Sequence, residues 1–295
     1  MTQRPSGRRA TAARPAVRRQ VATTPLRRTR RVRRASGGLS PVRAGAMLAL
    51  LLSAAAIYGV ANSSAFTYAR IRVEGATFTA ATDVEAAFAA VRGSNLFSLD
   101  TGPLEEILRG MRTVRDASVS VRLPDTLVAS LAEREPILVW QSGARRYLVD
   151  ADGFLFARLT DDPPPEAADL PVVEDRRAVA AGLSVGRHLE AIDLDAATRL
   201  GSLVPSDVGS EADALQVFVS DANGFVVRSQ PAGWSAVFGF YTASLRTPEL
   251  IPGQVRLLRS LLIGREPLVE RIILASETDG TYIPRPTPAP PTAAP

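Results

Sequence analysis

The residues with the clearest potential for chemistry are Ser184 and His188. Ser184 lies in Gly182-Leu-Ser-Val-Gly186, the G-x-S-x-G spacing that holds a nucleophilic serine on a tight turn between a strand and a helix. In such hydrolases the histidine that activates the serine lies far downstream. Here the single histidine follows the serine by four residues, and no repeat of strands and helices surrounds the motif. The spacing therefore disfavours an exported serine hydrolase, which we keep only as an alternative.

Asp150 and Asp152 form the second candidate pair, because alternating carboxylates can ligate calcium. An EF-hand loop continues with further oxygen ligands at alternate positions and a Glu near its end, which this segment lacks. We therefore interpret Asp150-Ala-Asp-Gly153 as a tight turn between two strands. One His and no Cys disfavour a transition-metal or thiol site, and no phosphate-binding glycine loop follows a strand. The sequence predicts no enzyme, no metal site and no cofactor.

The elements of the chain are organised around an uncharged stretch at 44–61, AGAMLALLLSAAAIYGVA. As a helix, about 18 residues rise about 27 Å, which is close to the hydrocarbon thickness of a bilayer. A buried core helix would normally show a polar stripe, and a cleaved signal peptide normally has a short charged region before it. Because 43 residues precede this stretch, we predict a retained transmembrane helix and polar exit at 44–65.

The charges on the two sides of this stretch have opposite sign. Residues 1–43 hold 13 arginines and no acidic residue, whereas 44–295 hold 22 arginines against 30 acidic residues. Positive flanks stay in the cytoplasm, so the pattern predicts a single-pass protein of the cell (plasma) membrane with the bulk of the chain outside. The tail 1–43 is predicted to be disordered and to attract anionic lipid. It has no aromatic residues for stacking on bases, so we expect no specific nucleic-acid binding.

Residues 66–136 predict a small domain with the order strand, helix, helix, strand, strand. Thr82 and Glu85 give a capping-box signal for the first helix, and Asp100 can cap the second. The apolar faces of these elements should pack together through Phe88, Leu104 and Val119.

Residues 137–282 predict a second, mostly antiparallel β domain with a few helices, which makes the fold class α+β. Its hairpin signals are Asp150-Ala-Asp-Gly153 and Asp221-Ala-Asn-Gly224, and its last strong strand is 269–276. From Ile283 onward proline recurs, so 283–295 is predicted to be an extended, disordered tail.

Residues 71–140 resemble the POTRA domain of the FtsQ/DivIB family of bacterial cell-division proteins. The resemblance is carried by the order and spacing of short motifs directly after a single span with a basic tail. These motifs are Ile71-Arg-Val-Glu-Gly75, Asn95-Leu-Phe97, Val114-Arg-Asp-Ala-Ser-Val119, Leu123-Pro-Asp-Thr-Leu127, Glu133-Arg-Glu-Pro136 and Trp140. Weaker similarity continues to about residue 282.

The resemblance implies a non-enzymatic scaffold of the division site, or divisome, located at the septum. The implied partners are FtsB/DivIC-like and FtsL-like bitopic division proteins, and through them the septal peptidoglycan synthase. A different POTRA-bearing anchor, for envelope assembly or secretion, is the other alternative.

In that family the final strand of the β domain is an open edge on which an extended partner segment adds. The resemblance places the partner-binding residues here at Glu270, Arg271, Ile272, Ile273, Leu274, Ala275, Ser276 and Tyr282. Alternation puts Ile272 and Leu274 on one face and Arg271 and Ile273 on the other. Several family members have a basic or aromatic residue where this chain has Ala275 and Ser276, so that role passes to Arg271 or Tyr282. The alternative is that 269–276 is a central strand, already paired on both sides.

Overall fold

The computed structural model describes residues 40–231 and 233–286. Its first element is helix α1 (Pro41–Ala61), which is apolar and has no buried residue. By length and composition it can cross a membrane, and it is the one such helix in the described part of the chain. The helix begins three residues before the predicted start at 44, and its last turn, from Ile57, belongs to the compact unit formed by the rest of the chain. The predicted disordered tails lie mostly outside the described residues.

A three-stranded sheet follows the helix, with order β1-β3-β2. Strand β1 is parallel to β3, and β2 is antiparallel to it. The elements in chain order are β1 (Arg70–Glu74), α2 (Ala81–Ala87), α3 (Gly102–Arg109), β2 (Val114–Arg122) and β3 (Thr126–Glu133). The predicted order of strands and helices is confirmed. Phe88, Leu104 and Val119 lie in one buried cluster, as the apolar faces predicted.

The starts of the two helices differ from the predicted caps. Helix α2 begins after Ala80, and neither Thr82 nor Glu85 caps it. Asp100 does accept a hydrogen bond from Gly102 N–H (3.0 Å), but Thr101 holds the capping position of α3. Local sequence therefore located both helices correctly while misplacing the residues that begin them.

The loop before α2 is held by a carboxylate from the end of β3. Glu133 accepts hydrogen bonds from the backbone N–H groups of Thr77 (2.7 Å), Phe78 (2.8 Å) and Thr79 (2.7 Å). This contact joins residues more than fifty positions apart, so a local capping rule has no access to it. It fixes Phe78, whose ring meets the buried ring of Phe156 edge-on at 5.6 Å between centroids.

The rest of the chain forms a nine-stranded sheet with order β12-β11-β10-β9-β8-β7-β4-β5-β6. Five of its neighbouring pairs are antiparallel and three are parallel, so the α+β class with a mostly antiparallel second sheet is confirmed. Its elements are β4 (Leu138–Ser142), β5 (Arg145–Val149), β6 (Leu155–Arg158), α4 (Pro165–Ala168), β7 (Val172–Asp175), α5 (Ala191–Gly201), β8 (Ala214–Ser220), β9 (Gly224–Gln230), β10 (Ser235–Gly239), α6 (Ile251–Leu262), β11 (Val269–Leu274) and β12 (Gly280–Pro284).

Helices α5 and α6 cover one face of this sheet and bury its main core. Leu200 from α5 and Leu258 and Leu262 from α6 are fully buried against strand residues such as Val227 and Ile272. The opposite face carries a smaller apolar group at β8–β10, formed by Phe218, Val226 and Val237. The guanidinium groups of Arg176 and Arg228 lie over the ring of Phe218, at 4.1 and 5.1 Å from its centre. Over this apolar group the second face of the sheet therefore carries arginine side chains from β9 and from the end of β7.

Candidate partner-binding surface

The serine motif does not form the turn that a hydrolase needs. Ser184 lies in a loop after a short 3-10 turn (Ala178–Gly182), not at the end of a strand. The ring of His188 packs on Phe154, with 4.8 Å between centroids, and its backbone forms a bridge with the same residue. The geometry of this loop is therefore that of a segment packed beside β6.

The carboxylate of Asp150 is occupied by donors of the chain itself. It accepts hydrogen bonds from the N–H groups of Asp152 (3.0 Å) and Phe154 (2.9 Å) and forms an ion pair with Arg134 at 2.6 Å. Gly153 has the positive φ of 79° that the turn requires. This carboxylate therefore shapes the turn, and the described residues include no cluster of side chains that could hold a metal ion.

Strand β11 is not the edge of its sheet, so that prediction was wrong. It lies between β10, to which it is parallel, and β12, to which it is antiparallel. The alternative of a central strand is the observed arrangement. At this end of the sheet, the edge strand among the described residues is β12, a short strand whose Gly280 and Pro284 gave no strand signal in the sequence. Because β12 continues to Pro284, the predicted tail boundary at 283 also falls inside a strand.

The alternation predicted for β11 is confirmed. Ile272 and Leu274 are fully buried in the core under the helices, whereas Ile273 is exposed and Arg271 is half-buried on the opposite face. Glu270 is exposed next to the irregularity in the β11–β12 pairing. The strand therefore offers side chains to a partner only on its open face.

Ala275 and Ser276, which were also predicted to bind the partner, lie in the turn after β11. The N–H groups of Ala275 and Ser276 both donate to the carbonyl oxygen of Asp279, at 2.8 and 3.1 Å. The hydroxyl of Ser276 also donates to the Asp279 carboxylate at 3.0 Å. These residues close the β11–β12 hairpin, which explains why small residues suit both positions.

The described part of the chain leaves the outer edge of β12 open. All five residues of the strand are exposed. The carbonyl of Asp279 faces the preceding strand, as does the N–H of Arg285, which donates to Leu268 O at 2.8 Å. Since backbone groups alternate along a strand, the N–H and C=O of Tyr282 point away from β11. The Tyr282 hydroxyl donates to Leu268 O at 2.9 Å, which holds its side chain along the hairpin.

An arginine fastens the ends of β10 and β11. Arg246 donates to the carbonyl oxygens of Phe238 and Leu274, both at 2.6 Å, and of Ala275 at 2.8 Å. These carbonyls follow the last ladder positions of two parallel strands, where backbone acceptors would otherwise need water. No sequence motif marked this residue, because its role depends on which strands become neighbours.

Two polar side chains, Gln254 of α6 and Tyr241, add hydrogen bonds at the same strand ends. Gln254 is fully buried in α6, donates to Leu274 O at 3.2 Å and accepts from the Tyr241 hydroxyl at 2.7 Å. Burial raises the pKa of Tyr241 well above its ordinary value, so the phenol remains a hydrogen-bond donor at any physiological pH. The edge hairpin is therefore attached to the rest of the sheet and to α6 through several side-chain hydrogen bonds.

Comparisons with known proteins agree with this architecture. A family model described as "POTRA domain, FtsQ-type" matches residues 66–134. The cell division protein FtsQ of Caulobacter vibrioides is 30% identical over 136 residues, which cover 45% of this chain and 44% of the relative. That of Chloroflexus aurantiacus is 25% identical over 250 residues, covering 83% and 80%. That of Mycobacteroides abscessus is 33% identical over 91 residues, covering 31% and 29%.

The match to the Caulobacter relative spans less than half of that protein's length, whereas the match to the Chloroflexus relative runs along most of both chains. The matched POTRA segment coincides with the three-stranded sheet and its two helices. With a helix able to cross a membrane ahead of that domain, the chain is related to the FtsQ/DivIB family of bacterial cell-division proteins.

Proposed function

We propose that this chain is a non-enzymatic scaffold of the division site, anchored in the plasma membrane by α1 and binding another bitopic division protein outside the cytoplasm. The proposed partners are FtsB/DivIC-like and FtsL-like proteins, which connect it to septal peptidoglycan synthesis. The observation that carries the proposal is the open edge of β12 on a sheet that is otherwise finished by its own chain. Its proposed domains are the POTRA domain at 66–136 and the β domain from 137, now extended to Pro284.

The mode of binding that fits this edge is strand addition. An extended partner segment would pair its backbone with the outward N–H and C=O groups of Tyr282 and extend the sheet by one strand. Exposed edge strands are an aggregation hazard that soluble proteins usually cover or interrupt. An edge strand that is exposed and held in place by hydrogen bonds of its hairpin is therefore best explained by a partner that covers it.

The side chains beside the edge give this surface a charge preference. Ser235 pairs with Arg228 on one side and with Arg271 on the other, and Arg271 pairs with Ile283 on β12. The two arginines thus lie in one cross-strand row that ends at the edge. A residue of the added strand in this row would lie beside Ile283, one strand away from Arg271, and the positive charge of the row favours an acidic side chain that reaches across Ile283 toward Arg271.

The proposed partner-binding residues are revised accordingly. Tyr282 is at the edge itself, and Glu270, Arg271 and Ile273 present exposed or half-exposed side chains on the neighbouring strand. Ile272 and Leu274 contribute through the core, and the turn residues Ala275 and Ser276 set the shape of the hairpin. Proline at Ile273, the obvious block for an edge strand, would here break a central strand and unfold the sheet.

The test is substitution of Tyr282 by proline, which removes an outward N–H while leaving the β11–β12 hydrogen bonds in place. The matched control is Tyr282→Ala, which loses the same side chain but keeps the N–H. Full-length protein is used to capture the partner's extracytoplasmic segment. We expect capture by Tyr282→Ala to be reduced only by the loss of side-chain contacts, and capture by Tyr282→Pro to be abolished while its melting temperature matches that of Tyr282→Ala. Equal capture by the two variants would refute strand addition at β12.

The cellular role has a separate test. A fluorescently tagged full-length protein should concentrate at the septum of dividing cells, and depletion should give filaments. An envelope-assembly or secretion anchor would instead be distributed around the cell and its loss would leave septation intact.

A further inference from the structure

Two aromatic rings lie together where the chain leaves α1. Phe66 and Phe97 come from segments thirty residues apart, and their ring centroids are 5.0 Å from each other. Phe97 is 57% exposed, although phenylalanine is usually buried. Its neighbour Leu96 is buried in the POTRA core, so the exposed ring is not the result of a poorly packed segment.

The Phe97 segment is fixed to the end of the apolar helix. The side chain of Asn95 donates to the carbonyl oxygen of Ala61, the last residue of α1, at 2.7 Å. The same side chain accepts a hydrogen bond from Phe97 N–H at 2.8 Å, and Leu96 N–H donates to Phe66 O at 2.9 Å. One asparagine therefore binds both the helix end and the residue that carries the exposed ring.

This attachment sets the position of the rings relative to a bilayer. Helix α1 has 21 residues, which correspond to about 31 Å and match a hydrocarbon core of about 30 Å. In a bilayer crossed by the whole of α1, Ala61 would lie at the outer boundary of the hydrocarbon. Phe97 is two residues from Asn95, a reach of at most about 7 Å, and the headgroup layer on each side is about 5–7 Å thick.

The surroundings suit a lipid surface. Tyr58, one turn before the end of α1, is 72% exposed, and aromatic residues are enriched at membrane–water boundaries. Residues 62–73 and 89–99 contain three arginines and no acidic residue. Arg70 and Arg72 form ion pairs with Asp125 and Glu74, so Arg92 leaves a small positive charge here that does not repel anionic headgroups.

We propose that Phe66 and Phe97 form a membrane-interface anchor that inserts into the headgroup layer of the membrane crossed by α1 and holds the POTRA domain against it. The partner is a lipid surface, chosen over a protein because Asn95 ties the exposed ring to the end of the span. The inference rests on membrane insertion of α1 and is independent of strand addition at β12.

The absence of cysteine from the chain makes the anchor directly measurable. Full-length Phe97→Cys is labelled with an environment-sensitive fluorophore and reconstituted into vesicles of phosphatidylcholine and phosphatidylglycerol. Nitroxide groups are placed either on the lipid headgroup or deep in the acyl chain. Leu245→Cys, 91% exposed in the β domain, is the matched surface control, and Leu51→Cys, 64% exposed in α1, reports insertion of the helix.

We expect the label at position 97 to be quenched by the headgroup nitroxide severalfold more strongly than the label at 245, and the label at 51 to be quenched by the deep nitroxide. Quenching at 51 without quenching at 97 would overturn the anchor while leaving the proposed function intact. A label at 97 that is shielded from water but not quenched would show a protein occupant and also overturn it. No quenching at 51 would overturn both the insertion of α1 and the anchor that depends on it.

Discussion

The two ends of the nine-stranded sheet differ in what lies beyond their last strand. At the β6 end, Leu155 N–H donates to Arg187 O at 2.9 Å and Gly186 N–H donates to Leu155 O at 2.8 Å, so a loop of the same chain satisfies the edge. Phe156 of β6 is buried against Phe78 from the POTRA domain. At the β12 end, all five residues are exposed and the sheet order stops.

This difference shows that the chain covers the edge of the sheet at β6 with one of its own loops and does not do so with its described residues at β12. The loop 186–189 follows β6 closely enough to act as an additional strand segment, with Leu189 N–H bonded to Gly153 O at 2.9 Å. The β12 hairpin has an equally rigid support in Arg246 and Gln254, but the described residues place nothing over its outer side. Rigidity without a cover is what a preorganised binding edge requires.

The largest expected effect is a loss of stability at the β6 end of the sheet, caused by a change in the core of the POTRA domain. Phe88 is fully buried, and replacing it by alanine should cost about 3–5 kcal/mol of unfolding free energy. The POTRA domain should melt early, and amides of β6 should then exchange faster with solvent because Phe78 no longer packs on Phe156. Thermal melting and hydrogen exchange measure this. Unchanged melting would show that Phe88 is not part of the core.

A smaller loss of stability is expected from removing the carboxylate of Glu133, which holds the loop that carries Phe78. Glu133→Ala leaves three backbone N–H groups of the loop before α2 without their acceptors, at a cost of about 1–3 kcal/mol. Glu135→Ala removes an equal charge two residues later, from an exposed side chain, and serves as the control. Partner capture at β12 should be unaffected by either change. If Glu135→Ala destabilises the protein as much as Glu133→Ala does, the loss of stability comes from the change in net charge and not from the hydrogen bonds of Glu133.

The smallest expected effect is a change in stability with pH, caused by titration of Glu266. Burial alone would raise the pKa of Glu266, but hydrogen bonds from Ser210, Glu211 N–H and Trp234 Nε1 outweigh it and hold the pKa below the ordinary value. The resulting stabilisation, at most about 1 kcal/mol for a solvent-screened carboxylate, is present above the unfolded pKa of about 4.3 and is lost as the pH falls through the lowered pKa.

Trp234 provides the readout, because its indole N–H donates to Glu266 at 2.7 Å. Its emission should change as the pH falls below the ordinary Glu range, and this change should be missing in Glu266→Gln. A transition of the same size in the variant would show that another group controls the acid response of this end.

The features that could be predicted from the sequence are those that depend on local pattern. The apolar helix that is long enough to cross a membrane follows from an uncharged run of residues and is observed as a helix. The POTRA order and the alternation of Ile272 and Leu274 against Arg271 and Ile273 follow from hydrophobic periodicity and are also observed. Strand order could not be predicted in this way. The parallel pairing of β10 with β11 spans a helix, and β12 is a short strand without buried residues, so no local signal distinguished a central strand from an edge.

The same limit applies to the candidate sites. Arg246, Gln254 and Asn95 act on backbone carbonyls that reach them only in the folded protein. A polar side chain that satisfies a distant carbonyl has no characteristic neighbours in sequence, so only the structure could identify it.

The hydrogen bonds within the β11–β12 hairpin, and those from Arg246 to the ends of β10 and β11, also have a mechanical consequence. In an antiparallel pair the hydrogen bonds lie perpendicular to the strands, so tension along β12 loads the five residue pairs between β11 and β12 together, in shear. Peeling would instead begin at the open end of the hairpin, where Arg285 N–H donates to Leu268 O, and at the turn end Arg246 holds Leu274 O and Ala275 O. A strand bound along this edge could therefore transmit a pulling force into the sheet without unzipping it.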